Sequence, residues 1–263
     1  MNRSHRITTI TALTFATTLA LLAATGGPAR AIDNKDELYC QLHASLNIGK
    51  FISKKMKCID GCWKRAFVDP PSASDCAPPY AGKTAGCVQS IEGKTGGAIQ
   101  SDCNKDCPEC YTGGDCMTDA DTKIADAEAH VEAVTADVFC DDSASGDGLT
   151  LSEFKCQRTV NKSLAKFAAK KLKCYAKCRK GEFRGKIPAG DCDPPAADLK
   201  TQGCISKLEQ KVAFLVDKKC ESGVNPSADK PECGSYPIND GAAWAAGEEA
   251  EIDARHGNFF CND

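Results

Sequence analysis

The chain has little of what builds a large apolar core or a catalytic centre. It holds 10 Phe, 5 Tyr, 2 Trp, 3 Met and 4 His in 263 residues, so side-chain burial alone must be supplemented by another source of stability. There is no H-E-x-x-H and no C-x-x-C-H, which sets aside a zincin centre and covalent haem by their usual motifs. Gly82-Lys83-Thr84 and Gly93-Lys94-Thr95 lack a glycine five residues before their Gly-Lys, so neither is a phosphate loop. His43, His130 and His256 stand beside no nucleophile motif, and surface positions are expected for them. Excess positive charge is also missing. With 33 Lys and Arg against 36 Asp and Glu, no nucleic-acid partner is expected.

Long apolar runs are confined to the start. Arg3 and Arg6 precede an apolar stretch over 7–24, and Ala29-Arg30-Ala31 has the form of a cleavage site, so residues 1–31 read as a secretory signal peptide. No later stretch has the apolar length of a transmembrane segment. A secreted or periplasmic protein is expected.

What is abundant is cysteine. All 18 follow residue 31, and dense cysteine in an exported chain reads as disulfide staples. The cysteines also reveal a repeat. Laid on residues 40–62, residues 156–178 repeat the cysteines at 40, 58 and 62 together with Gln41, Lys50, Phe51, Lys54, Lys55 and Lys57. A fixed period of this kind means one unit made twice. Each copy is an amphipathic helix with its thiols on the apolar stripe, and Lys162, Lys166, Lys170, Lys173 and Lys177 fall on the opposite side. Lys55 and Lys171 break that pattern by pointing near the cysteines. Stems lying along the core with the ammonium at the rim are expected, and an ion pair with an acidic third helix is compatible with this.

The fold class read from this is all-α: two tandem disulfide-stapled three-helix units, each an α-hairpin plus a third helix. The boundaries are 1–31 for the signal peptide, 32–148 for the first unit and 149–263 for the second. Capping boxes at Asn34–Glu37 and Thr150–Glu153 open the first helix of each unit. Paired prolines at 78–79 and 194–195 force turns. Second helices are expected over 87–103 and 204–220, with the first weakened by Gly93, Gly96 and Gly97. Third helices are expected near 118–139 and 240–257.

Cys40 and Cys58 lie about 27 Å apart along one helix and cannot bond. In an antiparallel hairpin the expected pairs are Cys40–Cys103, Cys58–Cys87, Cys62–Cys76 and Cys110–Cys140. Their repeats are Cys156–Cys220, Cys174–Cys204, Cys178–Cys192 and Cys233–Cys261. Cys107 and Cys116 have no counterpart in the second unit and pair with each other. The competing use of these thiols is copper(I) storage, since soft thiolates on the inward face of a helical bundle suit that ion.

Two weaker site readings remain. Asp141, Ser143, Asp147 and Glu153 sit in an acidic stretch resembling a calcium loop, although one ligand position fails in either register. The five lysines from 162 to 177 form a ladder that could meet an anionic surface or polymer. No cofactor is expected.

At C-Q-x8-K-F-x2-K-K-[ML]-K-C, the chain resembles a cysteine-rich, Lys-rich helical repeat of predicted exported proteins from environmental bacteria. The resemblance implies tandem use and export, and attaches no activity. With no convergent acid, base and nucleophile set in the sequence, the expected function is a non-enzymatic, disulfide-stabilised binding or structural protein. The alternative is extracytoplasmic copper(I) storage.

Overall fold

In the computed structural model, the described residues are 34–69, 75–108, 111, 115–139, 150–220 and 240–260. Among them the chain is all-α, with no strand. Its helices are α1 (Lys35–Val68), α2 (Gly82–Asp102), α3 (Cys116–Phe139), α4 (Leu151–Phe183), α5 (Leu199–Cys220), α6 (Gly241–Ala254) and α7 (His256–Phe259).

The helix starts follow from capping. The Asn34 side chain accepts from the backbone N–H groups of Asp36 and Glu37. A reciprocal capping box between Thr150 and Glu153 opens α4. Helices α2 and α5 begin about five residues before their first cysteine, and α2 runs unbroken through its glycines. At Gly96 a Cβ would meet Ile124 Cδ1 of α3 at 3.5 Å, an ordinary van der Waals contact, so α3 packs there without requiring glycine.

Helices α1 and α4 are the spine. Arg158 makes a two-pronged pair with Asp60, Asn161 donates to the Met56 carbonyl, and Ala169 abuts Gly49. As numbers rise along α4 they fall along α1, so the helices run antiparallel. A Cβ on Gly49 would sit 3.2 Å from Ala169 Cα, so glycine sets the closeness of this crossing.

Helix α2 flanks α1 and α5 flanks α4, giving a first layer in the order α2–α1–α4–α5. Helices α3 and α6 form a second layer across it: α3 on α1 and α2, α6 on α4 and α5. The two third helices meet through His130 and Glu248. The apolar core lies between the layers and includes Phe51, Ile52, Val131, Phe167, Leu172 and Trp244.

Bridges fasten each hairpin at matching places. Cys40–Cys103, Cys58–Cys87 and Cys62–Cys76 join α1 to α2 and to the connection before it, with Cα atoms 4.5, 6.0 and 5.4 Å apart. Cys156–Cys220, Cys174–Cys204 and Cys178–Cys192 do the same from α4, at 5.2, 6.1 and 5.6 Å. In both connections the Pro–Pro peptide bond is cis. Residues 1–31 and the cysteines at 110, 140, 233 and 261 lie outside the described residues.

Candidate functional sites: two polar clusters and a lysine face

Lys55 and Lys171 each stand three residues before a bridged cysteine, Cys58 or Cys174, and both side chains are fully buried. Lys55 pairs with Glu128 and, at 2.8 Å, with Glu132 of α3. Lys171 pairs with Glu249 at 3.2 Å and Asp253 at 2.6 Å on α6, and donates to the Glu249 carbonyl. The expected ammonium at the rim is therefore corrected: the carboxylates occupy the rim and the ammonium lies beneath them. Two acids one helical turn apart lean over it and replace the water it lost.

A third carboxyl completes each cluster. Glu92 lies five residues after Cys87, and Glu209 five after Cys204. Hydrogen bonding to Glu249, aided by burial and the Glu249 charge, pushes the Glu209 carboxyl up to about 7. Burial, the Glu128 charge and a hydrogen bond to Glu128 raise Glu92 as well. For Glu249, burial acts upward, but the Glu209 hydrogen bond and Lys171 hold it below its ordinary value. Glu209 and Glu249 can thus hold a proton between two carboxyls beside the buried Lys171 ammonium.

Tyrosines roof the clusters from different elements. The Tyr80 ring lies 5.1 Å from Lys55 Nζ, and Tyr175 lies 5.7 Å from Lys171 Nζ with its hydroxyl on Asp253. Burial raises both phenols, with carboxylate neighbours adding to the effect. The arrangement ties the third helix to the hairpin. Spacing from the cysteines carried this signal, because Glu128 and Glu249, like Glu132 and Asp253, are equally distant from Cys140 and Cys261.

The expected surface positions hold for His43 alone. His130 and His256 are each 1% exposed. His130 Nε2 lies 3.0 Å from Glu248 Oε1, with both side chains buried between α3 and α6. The missed signal is position: His130 stands in the apolar stripe of Ala127, Val131 and Val134.

Every described cysteine is bridged. Cys107–Cys116 fastens the start of α3, and the Cys116 sulfur lies 3.8 Å from that of Cys40. The sulfurs of Cys40, Cys103 and Cys116 lie within 4.8 Å of one another, but all three are held in disulfides and offer no thiolate in this state. Of the calcium candidates, Asp141, Ser143 and Asp147 are outside the described residues. The Glu153 carboxylate accepts from the Thr150 N–H in the capping box.

The lysine ladder divides in two. Lys162 turns toward α1, 3.6 Å from Asp60. Lys166, Lys170, Lys173 and Lys177 are exposed along a single stripe of α4, roughly opposite Lys171 and the third helix. Lys50, Lys54, Lys57 and Lys64 make the matching exposed stripe on α1. On α5, positions 207, 211, 214 and 218 have the same spacing and hold Lys207, Lys211, Phe214 and Lys218, again away from α6. No Asp or Glu occupies these three stripes. Between α4 and α5, Lys166, Lys170 and Lys211 rim a shallow cleft lined by Phe167, Leu208, Val212 and Leu215.

Comparison with protein-family models, curated proteins and solved structures finds no match to this chain. Among the described residues no helix is long and apolar enough to cross a membrane. The seven described bridges fit an oxidising compartment.

Proposed function

We propose that this is an exported, disulfide-stabilised, non-enzymatic binding protein, made by tandem duplication of one helical unit, that meets anionic surfaces through its lysine face. Residues 1–31 act as its secretory signal, and its place of work is outside the cytoplasm. The observation that carries the reading is the segregation of charge between layers. Lysines without intervening acids run along one side of α1, α4 and α5, while the third helices on the other side carry the paired carboxylates. Buried Lys55 and Lys171 are engaged in tying helices together, whereas the exposed lysines of the basic face are open to meet anions.

The test is retention of the oxidised chain on a sulfonate resin at neutral pH and low salt. The whole chain has a net charge of −3, so retention comes from the face and not from the total. Retention that falls with salt, and disappears when Lys166, Lys170 and Lys173 are changed to Glu, is the expected result. Passage straight through the resin contradicts the reading. So does a natively purified chain carrying copper(I) on reduced cysteines, because a thiolate store needs open bridges.

A further inference from the structure

The lysine face is not uniformly polar: Tyr39 and Val68 stand exposed at the two ends of the α1 stripe, and α5 sets a ring among its lysines. On α5 the stripe Lys207–Lys211–Phe214–Lys218 holds Phe214 at 62% exposure, flanked by lysines one turn away on either side. Lys218 Nζ lies 5.6 Å from the Phe214 ring centroid, a cation–π distance that draws this charge to the ring's own face. Beside them the α4–α5 cleft has Phe167, Leu208, Val212 and Leu215 as its walls and lysine ammoniums as its rim. In the first half the same stripe of α2 reads Ser90, Lys94, Gly97 and Ser101, with Thr95 and Ala98 where the second half has Val212 and Leu215.

The fold does not need this difference. The buried face of α5 is supplied by Ile205, Val212, Val216 and Cys220, and its seam with α6 by Ala213 and Asp217. Phe214 contributes to neither, and leaving a phenylalanine in water has no folding return. A hydrated polyanion also gains little from it, since lysines alone provide that attraction. An exposed aromatic set between lysines, with its nearest acid, Asp217, turned to the α6 seam, is the pattern of an interfacial surface. Ammoniums meet the headgroups and the ring enters the headgroup–acyl boundary.

We infer that the α4–α5 face docks on the surface of a bilayer containing anionic phospholipids, with Phe214 as the inserted side chain and Lys166, Lys170, Lys211 and Lys218 as the headgroup contacts. This rests on the anionic-surface reading above and narrows it to a lipid leaflet. The first half adds attraction through Lys50, Lys54 and Lys57; Tyr39 and Val68 stand exposed at the ends of that stripe, and no ring lies among its lysines. Docking is peripheral and reversible, because a single inserted ring and a few lysines fall far short of a spanning segment.

The test uses the full oxidised chain and sedimentation with vesicles of phosphatidylglycerol mixed with phosphatidylcholine, against phosphatidylcholine alone. Binding to the mixed vesicles only is expected. Phe214→Ser should weaken it roughly tenfold, as loss of one buried ring implies, and leave retention on the sulfonate resin unchanged. Changing Lys166, Lys170 and Lys211 to Glu should weaken it by more than about a hundredfold. Phe214→Trp should restore binding and shift its emission to the blue with mixed vesicles. Resin retention without vesicle binding overturns the lipid inference and leaves the anionic-surface reading standing; loss of both overturns both. Unchanged vesicle binding by Phe214→Ser overturns the insertion. So does a concentration-dependent dimer that Phe214→Ser dissociates, since the ring then serves a second copy of the chain.

Discussion

Lys55 and Lys171 hold the same place in the two halves: each is fully buried under the third helix of its own unit, between two acids one turn apart. Lys171→Ala should cost about 2–3 kcal/mol in denaturant unfolding of the oxidised protein. That lies below the range for a fully buried pair, because Glu249 and Asp253 keep contact with water. Lys171→Met combined with Glu249→Gln and Asp253→Asn should recover most of the loss. A single substitution with no effect would show that the ion pair does not hold α6 in place.

The carboxyl pair Glu209–Glu249 gives a pH dependence with a definite sign. The folded Glu209 carboxyl is raised from its ordinary 4.5 to about 7, so the folded state retains a proton that the unfolded chain has released. Stability from this group is fully present below about 4.5 and is lost as pH rises toward about 7. Glu249, held below its ordinary value, acts with opposite sign in a lower window. Unfolding midpoints of wild type and Glu209→Gln across this range check the claim: the decline should be visible in the first and flattened in the second.

The bridges of each hairpin are nested, with Cys178–Cys192 inside Cys174–Cys204 and that inside Cys156–Cys220. Removing one therefore frees only the chain as far as the next, and the sequence separations of 14, 30 and 64 overstate the loop entropy. Replacing either Cys174–Cys204 or Cys156–Cys220 by alanines should cost a similar amount, about 3 kcal/mol. A strongly graded series would contradict nesting.

Close backbone approaches mark the seams between helices. A Cβ at Gly241 would lie 2.7 Å from Ala213 Cα, and one at Gly49 would lie 3.2 Å from Ala169 Cα. Gly241→Ala should push α6 off α5, and Gly49→Val should part the two halves. Each should lower stability by about 1–3 kcal/mol. Cooperative unfolding at the wild-type midpoint in both variants would remove these seams from the account.

Much of the layout was legible because cysteine spacing and helical periodicity are local. Cysteines 18 residues apart on one helix cannot bond, so the bridges must cross a hairpin, and the capping boxes and paired prolines mark where the hairpins begin and turn. What was not legible depended on how the third helices lie. Lys55 and Lys171 showed as exceptions on the apolar stripe, but only the placement of α3 and α6 shows acids closing over them. His130 was misread because its burial needs Glu248, 118 residues away on a helix of the other half. The lysine face was visible one helix at a time. The antiparallel α1–α4 register, which brings the stripes to one side, comes from contacts such as Arg158 with Asp60 that no periodicity announces.

The most direct measurement is the intact mass of the protein from its native compartment, before and after alkylation under denaturing, non-reducing conditions. The account requires a mass lower than the reduced chain by one hydrogen per cysteine, with no alkyl groups added. Extensive alkylation would mean that the staples are open in the working protein, contradicting the stapled two-layer account and favouring a thiolate store.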